Sequence, residues 1–201
     1  MDALITFIIP TVGRHTLERT IQSLQKLYNP NWKAIIVFDG VQPTITVTDP
    51  RIKSIETEKH GFENCAGEVR NIGMKLVDTE WIGFVDDDDI VLPNYIDALI
   101  YENQSYPDVI IFRMSYHNLL HNKYNIRIRK QEIITKPAAT DLDFKIFEVG
   151  ISFSIKSKLV LNEGFKFEPS KTEDLYLLDK LRSANKKIIL SKAITYVVRP
   201  N

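Results

Sequence analysis

The sequence holds a single cysteine, Cys65, among its 201 residues, so an internal disulfide is excluded and nothing points to an oxidising compartment. No histidine accompanies Cys65 in a recognisable nucleophile motif, and small buried cysteines mostly serve packing. Charge of either sign is also not in excess. With 26 basic and 26 acidic residues there is no global field to draw in nucleic acid or an anionic membrane, so any phosphate binding must be local. Met1-Asp2-Ala3 lacks the basic region of a secretory signal, and no apolar run is long enough to span a bilayer. Repeats and low-complexity linkers are missing too. These absences lead to the expectation of a cytoplasmic protein, or a domain of something longer, with no nucleic-acid partner and no transmembrane segment. The length suits one domain with a sizeable core.

What is present is an alternation of buried strands and amphipathic helices. Leu4 to Ile9 is a β-branched run ended by Pro10 and reads as a first buried strand. Thr16 is placed as an N-cap for a helix carrying Leu17, Ile21, Leu24 and Leu27 at helical spacing, stopped by Asn29-Pro30. Trp32 to Phe38 is a second strand closed by Asp39-Gly40, which makes the opening unit strand, helix, strand, as in a doubly wound sheet. Ile52 to Ile55 reads as a short strand. A helix from Glu63 follows, with Ala66, Val69, Ile72 and Leu76 at helical spacing and Arg70-Asn71 on or beside its polar face. A helix from Pro93 to about Asn103 and a strand from Val109 to Met114 come next. Ile126-Arg127-Ile128-Arg129-Lys130 alternates like an exposed hairpin arm, and Ile151 to Ile155 alternates with Ser152 and Ser154 on a face that could border an acceptor. Glu173 and Asp174 open a helix bearing Leu175, Leu178 and Leu181, and Lys187 to Val198 is a last strand.

The run Trp81 to Val85 is apolar without alternation, as in a strand covered on both faces, and it delivers Asp86, Asp87, Asp88 and Asp89 to its carboxyl end. In open α/β sheets that edge is where ligands bind. If the chain stays extended, Asp86 and Asp88 face one way and Asp87 and Asp89 the other. Adjacent carboxylates repel unless a cation or donor neutralises them, and an all-oxygen set suits Mg²⁺ or Mn²⁺ together with a substrate phosphate. The plainer alternative is acids complementing a helix N-terminus begun at Pro93. An EF-hand is excluded, because Ile90 and Val91 fall where that loop needs an oxygen ligand and a glycine.

In order, these pieces resemble the inverting glycosyltransferases of family 2. The matching residues are Ile8-Ile9-Pro10-Thr11 with Arg14, Asp39-Gly40, Ala66-Gly67-Glu68-Val69-Arg70-Asn71-Ile72-Gly73, Phe84 to Asp89 with Leu92-Pro93, and Thr172-Glu173-Asp174. The resemblance implies the GT-A fold, an α/β Rossmann-like domain spanning 1–201 with a mixed central sheet flanked by helices. Its nucleotide-sugar half would cover about 1–100 and its acceptor half about 101–201. It implies an enzyme of the hexosyltransferase type that moves a sugar from a nucleotide sugar, of the uridine diphosphate type, to a hydroxyl of a glycan or other acceptor. Pro10, Thr11, Arg14, Asp39, Arg70, Asp86 and Asp87 fall on nucleotide-sugar positions, Asp88 with Asp86 on the metal position for Mn²⁺ or Mg²⁺, and Asp174 on the general base, with Glu173 as its substitute. Two other readings stay open. A sugar-1-phosphate nucleotidyltransferase would show a glycine-rich basic loop after the first strand, of which Thr11-Val12-Gly13-Arg14 is a poor version. A non-catalytic nucleotide-sugar or glycan-binding module would not need to retain Asp86, Asp88 and Asp174 together.

Overall fold

The computed structural model describes residues 3–43, 45–62, 65–116 and 150–199. Its elements are β1 (Ile5–Thr11), α1 (Leu17–Gln25), β2 (Trp32–Asp39), β3 (Ile52–Thr57), α2 (Gly67–Met74), β4 (Trp81–Phe84), β5 (Ile90–Val91), α3 (Tyr95–Asn103), β6 (Val109–Tyr116), β7 (Phe153–Lys156), α4 (Ser157–Leu161), α5 (Glu173–Ser183) and β8 (Ile188–Val198). The strands form one eight-stranded sheet in the order β3-β2-β1-β4-β7-β6-β8-β5. Strands β3, β2, β1 and β4 are parallel. Strand β7 is antiparallel to both β4 and β6, β8 is parallel to β6, and β5 is antiparallel to β8. All strands except β5 and β7 therefore send their carboxyl ends to one edge.

The register explains which side chains go where. Ile8 pairs with Phe84 and Phe7 with Gly83. On the Ile8 face lies α2, whose Gly73 leaves no space for a side chain: a Cβ there would sit 2.8 Å from Ile8 and 3.1 Å from Val37. Phe84 extends this layer by packing edge-on against Phe167 at 5.1 Å. On the opposite face Phe7 meets Tyr95 of α3 at 5.1 Å, and the Tyr95 hydroxyl is satisfied by Ser154 at 3.0 Å. Strand β1 is buried along its whole length, as its mostly apolar sequence allows, and its buried Thr6 hydroxyl is satisfied by the Thr79 hydroxyl at 2.8 Å. It continues through Pro10 because β4 pairing stops at Ile8, so the missing amide falls beyond that ladder, on the side where the chain opens into a cleft.

Several expectations are corrected. Arg70 and Asn71 are buried, not on a polar face. Asn71 spans the chain at Phe167, accepting its N–H and donating to its C=O, both at 2.9 Å. Ser152 and Ser154 border no open face: β7 is interior, both residues are fully buried, and Ser152 donates to the Phe112 carbonyl at 2.9 Å. Thr16 does precede α1, but its backbone is already helical and its side chain makes no capping bond; the Leu17 amide instead meets the Arg14 carbonyl at 3.2 Å. Helix α2 begins at Gly67 rather than Glu63, which leaves Leu76 outside it and half exposed. The proposed hairpin arm at Ile126 to Lys130 lies outside the described residues. Among the described residues no helix is long and apolar enough to cross a membrane.

Candidate active site

At the common strand edge, Pro10, Thr11 and Arg14 after β1, Asp39 at the end of β2, Arg70 of α2 and Asp86, Asp87 and Asp88 after β4 line a single open cleft with about 640 Å³ of empty space. The sequence placed these residues separately, and the fold brings them together. Beside it lies a second cavity lined by Lys171, Glu173, Asp174, Asp89 and Tyr196. Arg70, Asp86 and Arg199 line both cavities and form the wall between them.

The four acids do not continue β4. The Asp89 amide bonds back to the Asp86 carbonyl at 3.1 Å, so the segment is a turn, and strict alternation fails. Asp87 points into the protein, where it accepts from the Thr11 hydroxyl at 2.6 Å and from Arg14 Nη1 at 3.0 Å. It is thus an anchor for the loop after β1, and the Thr11 hydroxyl is engaged by it. Asp89, expected on the Asp87 side, joins Asp86 and Asp88 instead: one carboxylate oxygen from each lies within 4.8 Å of the others. Arg14 Nη1 at 3.2 Å and Arg199 Nε at 3.4 Å flank Asp88.

The electrostatics show a turn with more negative charge than its neighbours neutralise. Burial raises the Asp87 carboxyl, only partly offset by Thr11 and Arg14. Burial, with Asp86 adding to it, pushes Asp89 up to about 7 even though the Tyr196 hydroxyl and the Arg199 amide donate to it, each at 2.8 Å. A hard divalent cation fits this donor set: three clustered carboxylates, with Asp88 reachable from the cleft. The Tyr196 hydroxyl also accepts the Asp86 amide at 3.1 Å, tying the two ends of the turn together.

Asp39 is nearly fully buried and accepts from Lys59 Nζ at 2.5 Å, the His60 amide at 2.6 Å and the Gly61 amide at 3.1 Å. Burial alone would raise its carboxyl; the His60 amide, Lys59 and the Gly61 amide outweigh it and hold the group below its ordinary value. Cys65 also lines this cleft, where burial raises its thiol, so it stays protonated and packs rather than reacts.

Arg70 lies across the wall. Its Nη1 donates to Glu173 Oε1 at 2.7 Å and its Nη2 pairs with Asp86 Oδ1. Burial would lower its affinity for the proton, but the charges of Asp86 and Glu173 more than reverse this, so it stays cationic. Glu173 is buried and accepts the Ala66 amide at 3.2 Å as well. Asp174, one residue on, is only partly buried and faces the second cavity. Its Oδ1 accepts the Leu175 amide at 2.8 Å, leaving Oδ2 to accept a further proton or hydrogen bond. Burial raises the Asp174 carboxyl, and the charges of Glu173 and Asp86 add to this. Asp89, Tyr196, Arg199 and Lys59 were not singled out as site residues from sequence. Four consecutive acids were a visible hint for Asp89, whereas Tyr196 and Arg199 carry no local motif.

The sequence model described as Glycosyl transferase family 2 matches residues 6–163. Among curated proteins, the glycosyltransferase GlyG of Streptococcus pneumoniae is 28% identical over 127 residues, covering 59% of this chain and 40% of that protein. The UDP-Glc:alpha-D-GlcNAc-diphosphoundecaprenol beta-1,3-glucosyltransferase WfgD of Escherichia coli is 28% identical over 105 residues, covering 49% and 40%. The chain thus spans about two fifths of the length of these relatives. Among solved structures, residues 1–349 of S. aureus TarS superpose with a TM-score of 0.75 at 19% identity, covering 97% of this chain and 60% of that one. The same TarS fragment has been solved with UDP and with UDP-GlcNAc, at TM-scores of 0.73. The likeness establishes the GT-A fold expected from the sequence.

Proposed function

The chain belongs to glycosyltransferase family 2, and from that premise we propose that it transfers a sugar from a nucleoside diphosphate sugar, with uridine diphosphate as the carrier, to an acceptor hydroxyl with inversion at the anomeric carbon. The observation that carries this reading is the shared wall. Arg70, Asp86 and Arg199 border both the cleft holding the nucleotide-sugar positions and the cavity holding Asp174, so a donor in one meets an acceptor in the other at Asp86.

Donor binding falls to the first cleft. The loop after β1, anchored through Thr11 and Arg14 on Asp87, and the loop carrying Lys59 to Gly61, anchored on Asp39, form its walls. Arg14 and Arg199, both beside Asp88, are placed to make charge-assisted bonds to a diphosphate. Held by Asp86, Asp88 and Asp89, Mn²⁺ or Mg²⁺ would supply Lewis-acid charge for the leaving diphosphate. Asp174 Oδ2 takes the acceptor's proton as the acceptor oxygen bonds to the anomeric carbon on the face opposite the diphosphate. The bond from that carbon to the diphosphate oxygen breaks, and its electron pair leaves with the nucleotide. The raised Asp174 suits the role, since a base with a higher pKa accepts a proton more readily. Glu173 is committed to Arg70 and to the Ala66 amide, so Asp174 is the base and Glu173 is not.

The test is turnover. UDP-glucose and UDP-GlcNAc, each with Mn²⁺, are incubated with a panel of saccharide and lipid-linked acceptors, reading nucleotide release and the anomeric configuration of the product by NMR. Transfer with inverted configuration is expected. A retained configuration would contradict the single displacement. Donor binding without transfer or hydrolysis would assign the chain to the binding-module reading.

A further inference from the structure

Glu173, Arg70 and Asp86 form a line of charges that runs from the interior to the cleft. Glu173 and Arg70 are 7% and 4% exposed, whereas the Asp86 side chain is 37% exposed. Arg70 spends one terminal nitrogen on each carboxylate. The line is held without slack. A Cβ at Gly67, one turn before Arg70, would lie 2.9 Å from Phe167 Cβ and 3.3 Å from Glu173 Cγ, and the Ala66 amide is fixed to Glu173 as well. One guanidinium thus divides its charge between a carboxylate facing the cation position and a buried one set back at the edge of the second cavity.

We propose that Glu173 sets the cation affinity of Asp86 through Arg70, which makes Glu173 a positioning residue for the transfer reaction. The inference rests on the cation reading of Asp86, Asp88 and Asp89. With Glu173 charged, Arg70 is shared and Asp86 remains open to a divalent ion. With Glu173 neutral, the whole of Arg70's charge falls on Asp86 and competes with the ion. With Arg70 gone, both carboxylates are uncompensated and draw the ion more strongly. Removing both restores the original net charge of the line.

The experiment is calorimetric titration of Mn²⁺, with and without UDP, into the wild type, Glu173→Gln, Arg70→Met and Arg70→Met/Glu173→Met, with circular dichroism melts to check folding. Mn²⁺ affinity should fall on the order of tenfold in Glu173→Gln, rise several-fold in Arg70→Met, and return near wild type in the double variant, where two matched apolar residues replace a buried pair. Should Arg70→Met fail to fold, the loss in Glu173→Gln and its recovery in the double variant still decide. Weakened binding in every variant, as from a loosened site, would overturn the proposal, as would unchanged binding in Glu173→Gln. A wild type that takes up no Mn²⁺ with or without UDP would overturn the cation reading and the proposal together.

Discussion

Asp174→Asn separates the chemistry from the fold. Asparagine has the same shape, and its Oδ1 can keep the Leu175 amide bond that Asp174 makes at 2.8 Å. What changes is the other atom: an amide nitrogen offers hydrogens where Oδ2 offered a lone pair, so the acceptor proton has nowhere to go. Losing a positioned general base costs about 10²–10⁴ in rate, equivalent to about 3–5 kcal/mol of barrier. UDP release in the presence of donor, acceptor and Mn²⁺ should fall by that factor, while Mn²⁺-dependent UDP affinity stays within a few-fold of wild type. The pH profile adds a second reading. Burial, reinforced by Glu173 and Asp86, raises Asp174 above the ordinary aspartate value of 3.8. Only the ionised form is a base, so wild-type rate should rise with pH through that raised pKa, and the limb should vanish in the variant. Stability moves the other way. The native state binds this proton more tightly than the unfolded chain, so Asp174 favours folding at low pH and becomes a cost as pH rises through its native pKa. At neutral pH Asp174→Asn should therefore melt at or above the wild-type temperature. A variant that keeps near-wild-type turnover, or keeps the acid limb, would refute the assignment.

Asp88→Ala should weaken UDP binding strongly with Mn²⁺ and far less without it; equal effects by calorimetry would remove Asp88 from the cation site. Tyr196→Phe deletes the hydroxyl that donates to Asp89 at 2.8 Å and accepts the Asp86 amide at 3.1 Å, so Mn²⁺·UDP affinity should drop about tenfold, the scale of one charge-assisted hydrogen bond, with the circular dichroism spectrum unchanged. Unaltered affinity would mean the turn holds its shape without Tyr196. Asn71→Ala orphans the buried amide and carbonyl of Phe167, a loss of about 3 kcal/mol and a fall in melting temperature of roughly 6–12 °C; a shift under 2 °C would show that other groups take over those bonds.

Strands buried on both faces were legible because their residues are almost all apolar: β1, β2 and β4 are covered above and below, and across Ile5 to Ile9, Trp32 to Phe38 and Trp81 to Val85 only Thr6 and Lys33 are polar. The placement of Asp39 and Asp86 at one edge followed from that alone. Side-chain direction was less legible. The alternation expected for Asp86 to Asp89 presumed an extended backbone, and one backbone hydrogen bond, from the Asp89 N–H to the Asp86 carbonyl, turns Asp89 to the other side. Arg70 and Asn71 look like the polar face of a helix because their partners, Glu173 and Phe167, lie 103 and 96 residues away. Tyr196 is 107 residues from Asp89, and nothing around it in sequence distinguishes it from any tyrosine in a strand. Glu173 and Asp174 were recognised as a pair, yet only the fold separates them: at the same cavity Glu173 is buried and locked to Arg70 and the Ala66 amide, whereas Asp174 is only partly buried.

The central claim is that the cleft binds a nucleoside diphosphate together with a divalent cation on the Asp86, Asp88 and Asp89 turn. Titration of the protein with uridine diphosphate in a calorimeter, with and without Mn²⁺ and beside guanosine and thymidine diphosphates, tests it most directly. The account predicts binding of uridine diphosphate that requires Mn²⁺ and exceeds that of the other two nucleotides. Absence of binding by all three, with Mn²⁺ present, would contradict it and leave the acids as a structural turn.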